Sequence, residues 1–296
     1  MAKIVTHNAK FHADDVFAVA TLLILFPDAE VTRTRDEGLI KAADIVVDVG
    51  DLYSPENNHF DHHQKGGAGE RANGIQYASF GLVWKKFGEK ICKSKEVAEK
   101  LDSILVQVID AGDNGQDVLK PLISNVLPFA VSSVVDSYRL TWKEGENWDE
   151  RFMEAVQWAQ NLLGRQVKII SDALDGTKIV EKEYEKSDDK RIIQIDKNYD
   201  LGREIVMNVL VNHPEPIYAV LYRGDTQSWQ VLAIRKDLTS FESRKALPEL
   251  WRAKKEKDFE SVSGVLGSLF CHRSGFMCTV QSKEGALALA KIALDA

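Results

Sequence analysis

Cysteine is scarce in this chain: among 296 residues there are three, Cys92, Cys271 and Cys278, and no CxxC pair. That argues against a disulfide framework and against a thiolate zinc site, and a reducing, cytoplasmic compartment is expected. Long apolar runs are missing as well. The longest, near Val16 to Phe26, is too short to cross a bilayer, and the N-terminus shows no apolar stretch before a small-residue cleavage site. Positive charge is in deficit: 38 Lys and Arg against 45 Asp and Glu leave a net charge of −7, with a pI of about 5.6. A protein that coats duplex nucleic acid is usually basic, because affinity grows with the number of phosphates neutralised. Any phosphate chemistry here is therefore expected to be local, through metal ions or a confined basic cleft. No HExxH, GxSxG or GxxxxGK[ST] motif is present, which disfavours a zinc protease, a serine hydrolase and a P-loop NTPase. The glycine-rich GGAG at 66–69 follows no strand and reads as a loop at the rim of a cleft.

What is there is an ordinary globular composition, 44% hydrophobic and 28% charged, long enough for two domains and a sizeable core. AKIVT (2–6), AEVTRTR (29–35) and DIVVDVG (44–50) read as strands. Between them DDVFAVATLLILF and DEGLIKAA read as helices, the first with an acidic start suited to the helix dipole. Strands apolar on both faces, alternating with helices, predict an α/β fold: a mostly parallel sheet flanked by helices. Mostly helical sequence is expected from Tyr77 to about Leu174. The charged stretch EKEYEKSDDKR (181–191) reads as a junction, after which RIIQI, IYAVLYRG and SWQVLAIRK read as strands and EGALALAKIAL as a closing helix. The expected division is thus 1–185 and a smaller α/β domain over 186–296.

Sites in parallel sheets form beyond the carboxyl ends of the strands. His7, His12 and Asp14 follow the first strand, Asp48 ends the third, and Asp61, His62 and His63 follow a turn. Asp110 lies in VIDAGDNG after an apolar run. Each has an ordinary reading alone: Asp14 or Asp15 as a helix cap, Asp48 or Asp110 as a turn residue. Together they are harder to dismiss, since five of the seven histidines fall within residues 7 to 63. Imidazole with carboxylate suits Mn²⁺, Zn²⁺ or Fe²⁺ better than Ca²⁺. Two divalent ions bring four positive charges, which Asp14, Asp48, Asp110 and one bridging hydroxide would nearly neutralise. Such a pair, about 3.5–4 Å apart, activates a water and stabilises both the entering and the departing oxygen.

The FDHHQ run carries the signature of the DHH phosphoesterase superfamily. Within it the chain resembles the melanocyte-proliferating-gene (MYG) family. THNAKFHADD, TRTRD, DIVVDVGDLYSPE, FDHHQ, ASFGLVWKKFG, IDAGDNG, SFESRKALPELWR, VSGVLGSLFCHRSGFM and SKEGALALA look like that family's blocks in its order, nearly end to end. The resemblance implies a DHH-type metal-binding catalytic domain over 1–185 and a substrate-binding domain over 186–296. In the first motif His12-Ala13-Asp14 stands where the superfamily usually has a DxD pair. His7 and His12 would then hold one metal, Asp14 and His62 the other, with Asp48 bridging and Asp110 completing the second site. Asp61 would orient an imidazole and His63 would face the substrate, while Asp15 and Asp113 stay as neighbours, with Asp113 the alternative to Asp110 as ligand. The family's activity implies 3′→5′ exonuclease action on RNA with two divalent ions, Mn²⁺ favoured over Mg²⁺. The organelle-targeting extension of eukaryotic members is not expected here, because His7 already lies in the first motif.

The second domain is expected to choose the substrate. FCHRSGFM offers His272, Arg273, Ser274 and Gly275 as a phosphate- or sugar-binding turn. Arg235, Lys236, Arg244, Lys245 and Arg252 surround Phe241 and Trp251, a mixture suited to single-stranded nucleic acid, although such aromatics are often core. The expected function is a two-metal phosphodiesterase on short single-stranded RNA or oligonucleotides. The same centre would also serve a hydrolase of a small phosphate compound such as pyrophosphate or a nucleotide. A non-catalytic nucleotide-binding protein would lack a ligand, and none of the six is missing.

Overall fold

The structure, a computed structural model, describes residues 1–116 and 118–296. It divides into two compact units, Met1–Ser171 and Asp172–Ala296.

In the first unit, β1 (Lys3–Thr6) and β2 (Glu30–Arg33) flank α1 (Ala13–Leu25), and α2 (Glu37–Lys41) leads into β3 (Ile45–Val47). Two short strands come next, β4 (Tyr53–Ser54) and β5 (His59–Phe60). The sheet order is β2-β1-β3-β5-β4. β1 pairs in parallel with β2 and β3, β3 in parallel with β5, and only the β4–β5 pair is antiparallel. Ile4, Val5 and Thr6 in β1 and all of β3 are buried, as expected for strands covered on both faces. β5, too short for a periodicity argument, places the next three residues, Asp61 to His63, at the same sheet edge as the end of β3.

α1 is buried over Ala13–Leu23, which explains its apolar character all round, and it packs on α3 (Ser79–Cys92). α4 (Lys95–Leu101), one wide helical turn and α5 (Gln107–Asp113) form a continuous helical stretch. α6 (Val131–Asp136) and α7 (Trp148–Lys186) complete the elements. The expected helical region is therefore interrupted: residues 118–130 and 138–147 form no helix, and Leu122, Leu127 and Phe129 are exposed. The division between the units falls inside α7, whereas the charged stretch at 181–191 suggests a boundary further on. The helix continues to Lys186 because Val180 is buried and Tyr184 packs against it in the second unit's core.

That unit comprises β6 (Ile192–Gln194), α8 (Arg203–Leu210), β7 (Tyr218–Arg223), β8 (Ser228–Ala233), α9 (Glu256–Ser263), β9 (Ser268–Cys271), β10 (Met277–Val280) and α10 (Lys283–Asp295). Its sheet runs β6-β7-β8-β10-β9, parallel only at β6–β7. Tyr218, Val231, Trp251, Phe259 and Leu289 fill one core layer; Ile193, Leu210 and Leu221 fill another. Among the described residues no helix is long and apolar enough to cross a membrane.

Candidate metal centre

The loop after β1 is pinned before its polar side chains are aimed. Phe11 is fully buried and meets Trp148 and Phe152 edge-on, with ring centroids 6.2 and 5.5 Å away. Burying a phenylalanine contributes about 1.5–3 kcal/mol, enough to hold one end of a short loop. The guanidinium of Arg33, at the end of β2, lies over Phe11 and Phe152 and donates to the Ala9 carbonyl at 2.7 Å and to Asp149 at 2.8 Å. Arg139 donates to the Phe11 carbonyl. At the helix start, the Asp15 carboxylate accepts from the His12 and Val16 N–H groups, both at 2.8 Å. Asp15 is thus the capping partner, which leaves Asp14 free to face the sheet edge.

Asp48, one residue past β3, has φ 56°, a left-handed conformation that non-glycine residues adopt at a cost of order 1–3 kcal/mol. Its Oδ1 accepts from the Ser79 hydroxyl at 2.9 Å and lies 3.5 Å from His62 Nε2. Its Oδ2 lies 3.3 Å from His7 Nε2. Asp48 thereby stands between the two imidazoles. His7 Nε2 is also 3.2 Å from Asp15, while its Nδ1 donates to the Asn8 carbonyl at 2.9 Å. His62 Nε2 is 3.2 Å from Asp113 and 3.9 Å from Asp14. His63 Nδ1 donates to Asp61 at 2.8 Å, and Asp61 also accepts from the His63 and Asp51 N–H groups.

Three groups of donor atoms lie close enough to share an ion: His7, His12 and Asp48; Asp48, His62 and His63; His12, Asp14 and Asp113. Asp48 belongs to two of them and His12 to two. His7 and His12 share one such group with Asp48, and His12 shares another with Asp14 and Asp113. His62 stands with Asp48 and His63 as well as near Asp14.

Several buried polar atoms cluster at this edge with weak or no hydrogen bonding. Asp14 Oδ1, Asp15 Oδ2 and His62 Nε2 are buried and make no well-formed hydrogen bond, although buried polar atoms ordinarily find a partner. Burial lifts the Asp14 carboxyl well above the usual range, reinforced by Asp48 and Asp113. Burial opposes charge on His7, but Asp15 and Asp48 outweigh it and push it up to about 10. His62 is pushed up to about 10 by Asp113 and Asp48 in the same way. Burial acts to raise the Asp48 carboxyl, yet His62 and His7 hold it below the ordinary value. Anionic oxygens drawing protons onto imidazoles mark a place where positive charge is wanted. A nitrogen and oxygen donor set of this kind fits a divalent transition ion.

Two expectations need correction. Asp110, expected as a ligand, is not at the centre. It sits in helix α5, fully buried, where its carboxylate accepts from Arg71 at 2.7 Å and from the Gly81 N–H at 2.9 Å; burial lifts it to about 7 against the pull of Arg71. A Cβ on Gly81 would fall 1.8 Å from the Asp110 carboxylate, so the glycine makes room for this pair. Asp113, at the end of the same helix, reaches His62 instead. The turn-like DNG makes 110–115 look like a loop; read as a helix, one turn separates the two aspartates and sends only one of them to the sheet edge.

In the second unit, Arg244 donates to the Pro216 and Val211 carbonyls at 2.9 and 2.7 Å. Arg252 donates to Leu247 and Lys245 to Leu294, and Trp251 is core. These side chains, expected to meet substrate, hold the unit together. Lys236 pairs with Glu242, while Arg235 lies over the exposed ring of Phe241 at 4.6 Å. His272 bonds the Ser274 hydroxyl at 2.8 Å. Gly275 has φ 70° and closes the turn after Arg273, where a Cβ would press on Arg252 and Leu247.

Fold and centre together define an α/β protein of two units whose parallel sheet carries an imidazole and carboxylate cluster at its C-terminal edge. The MYG1_exonuc family model, described as an uncharacterised protein family (UPF0160), matches residues 3–294. The chain belongs to this family. A Caenorhabditis elegans MYG1 protein is 31% identical, the alignment covering 98% of this chain and 94% of that one. The human protein named MYG1 exonuclease is 28% identical, with 99% and 85% covered. The pGpG-specific phosphodiesterase PggH of Vibrio cholerae aligns at 13% identity over 100% of this chain and 98% of that one, with a TM-score of 0.29. RecJ of Thermus thermophilus aligns at 11% identity over 99% and 50%, with a TM-score of 0.31.

Proposed function

We propose that the chain is a divalent-metal-dependent phosphodiesterase that removes nucleotides from the 3′ end of short single-stranded RNA, with Mn²⁺ as its working ion. The observation that carries the reading is the convergence of His7, His12, Asp14, Asp48, His62 and Asp113, with Asp14 Oδ1 buried and unpartnered among them. Relatives across the family that are named exonucleases support it. His7, His12 and Asp48 would hold one ion, and Asp14, His62 and Asp113 with Asp48 the other. Bound there, the ions would lower the pKa of a water and neutralise the phosphate's oxygens.

The chain's own groups do the rest. Asp48, fixed by Ser79 and by its backbone conformation, sets the spacing of the two donor groups. His63 is half exposed and lines the cavity in front of the cluster. With Nδ1–H donated to Asp61, its Nε2 is the atom left to face the substrate, accepting a proton when the ring is neutral and donating one to the departing oxygen only as imidazolium. The cavity, about 1070 Å³, is at the large end for ligand sites and far exceeds what pyrophosphate alone would fill, which favours an oligonucleotide. The test is digestion of 5′-labelled oligoribonucleotides in Mn²⁺. A ladder shortening from the 3′ end is expected; an inert protein with its metal loaded would refute the reading.

A further inference from the structure

We infer that the cavity beside the metal centre contains a second phosphate subsite, formed by Arg35 and Lys10, that binds a non-scissile phosphate of the substrate. This rests on the phosphodiesterase reading and adds a basis for choosing substrate within the first unit.

The cavity is not confined to the His and Asp cluster. It extends along the C-terminal edge of the sheet from His63 and Asp48, past the loop carrying His7 and His12, to the end of β2. At that far end it is lined by Lys10, Arg35 and Lys41. Lys41 is already paired with Glu37 at 3.1 Å, so neither contributes much net charge. Lys10 and Arg35 have no ion pair, side-chain hydrogen bond or aromatic contact among the described residues. Two cations therefore face one cavity without a partner, in a chain whose net charge is −7. Asp51 also lines the cavity, but from the loop after β3, on the opposite side of β1.

The two arginines of TRTRD make the contrast. Arg33 is almost wholly buried, its two terminal nitrogens held by Asp149 and Ala9 and its face by Phe11 and Phe152. Its bond to Ala9 fixes the residue next to Lys10. Arg35, two residues on, is exposed, makes none of these contacts and opens on the cavity. A guanidinium matches a phosphate's oxygens in a two-pronged geometry, and a neighbouring ammonium adds a point charge. An anion held there, with the scissile phosphate at the metal donors, requires a substrate with two phosphates.

The experiment compares pApA with ApA, both cleaved at the same internal phosphodiester, in Mn²⁺. The wild-type protein is expected to favour pApA in kcat/KM. Arg35→Ala should reduce that preference about tenfold, the scale of one charge-assisted hydrogen bond. Lys10→Ala should reduce it less, and Arg35→Lys should restore part of it. Circular dichroism and Mn²⁺ binding of each variant guard against misfolding. A pApA preference unaltered by both alanine variants, or no preference in the wild type, would overturn the subsite while leaving the phosphodiesterase standing. Cleavage of neither dinucleotide, with Mn²⁺ bound, would overturn the phosphodiesterase reading and the subsite with it.

Discussion

The two units contain similar polar side chains and use them in opposite ways. In the second, Arg244, Lys245 and Arg252 are satisfied by backbone carbonyls of their own unit. In the first, acids and imidazoles crowd one sheet edge and several buried atoms go unmet. Residue type alone does not separate these cases. Partner accounting does better: a charge matched by the fold is architecture, and unmatched buried atoms crowded among acids and imidazoles point to a missing partner.

The largest effect that would break this comparison is at Asp48. Asp48→Asn keeps a residue that tolerates left-handed backbone and removes the charge between His7 and His62. Turnover should vanish while the circular dichroism spectrum stays; residual activity near wild type would show that Asp48 bridges nothing. The next test sets Asp113 against Asp110. Asp113→Asn should weaken Mn²⁺ binding, measured by calorimetry, by more than the 10–100-fold that outer-shell partners typically cost. Asp110→Asn at pH 8 should instead lower stability by about 1.5–3 kcal/mol, because Arg71 loses its buried partner and keeps only Asp102, 2.8 Å away, with Mn²⁺ binding changed little. The reverse pattern in denaturant and binding curves would restore Asp110 as the ligand.

Acidity gives a smaller, graded effect. Without metal, His7 and His62 retain protons up to about pH 10, and a cation must displace those protons to bind. Apparent Mn²⁺ affinity should therefore rise as pH increases from 6 to 9, with proton release visible in buffers of different ionisation enthalpy. An affinity flat over that range would contradict the picture. The smallest effect is expected at Arg244: Arg244→Ala should cost about 1.5–3 kcal/mol in stability and leave Mn²⁺ affinity as it was.

Much of the first unit was legible in the sequence for a plain reason. β1 and β3 are buried on both faces, so their apolar runs announce a parallel sheet, and the polar residues just after them announce its C-terminal edge. His7, His12, Asp14 and Asp48 were readable in this way. β5 is two residues long and owes its place to pairing with β3, so Asp61, His62 and His63 were marked by the clustering of histidines and the FDHHQ resemblance and not by a readable strand before them. Asp113 was visible beside Asp110, but turn-like DNG concealed the helix that separates the two. Arg71, the reason Asp110 is elsewhere, lies 39 positions away in sequence, and no local pattern connects them. In the second unit the basic and aromatic mixture was visible, but whether Arg244 meets water, ligand or a carbonyl depends on distant backbone.

The most direct measurement is anomalous diffraction at the manganese edge from crystals grown in Mn²⁺. Strong peaks within bonding distance of His7, His12, Asp14, Asp48, His62 and Asp113, with Asp110 still on Arg71, are the predicted result. A map with no peak at that sheet edge, or with its peaks among other side chains, would contradict it.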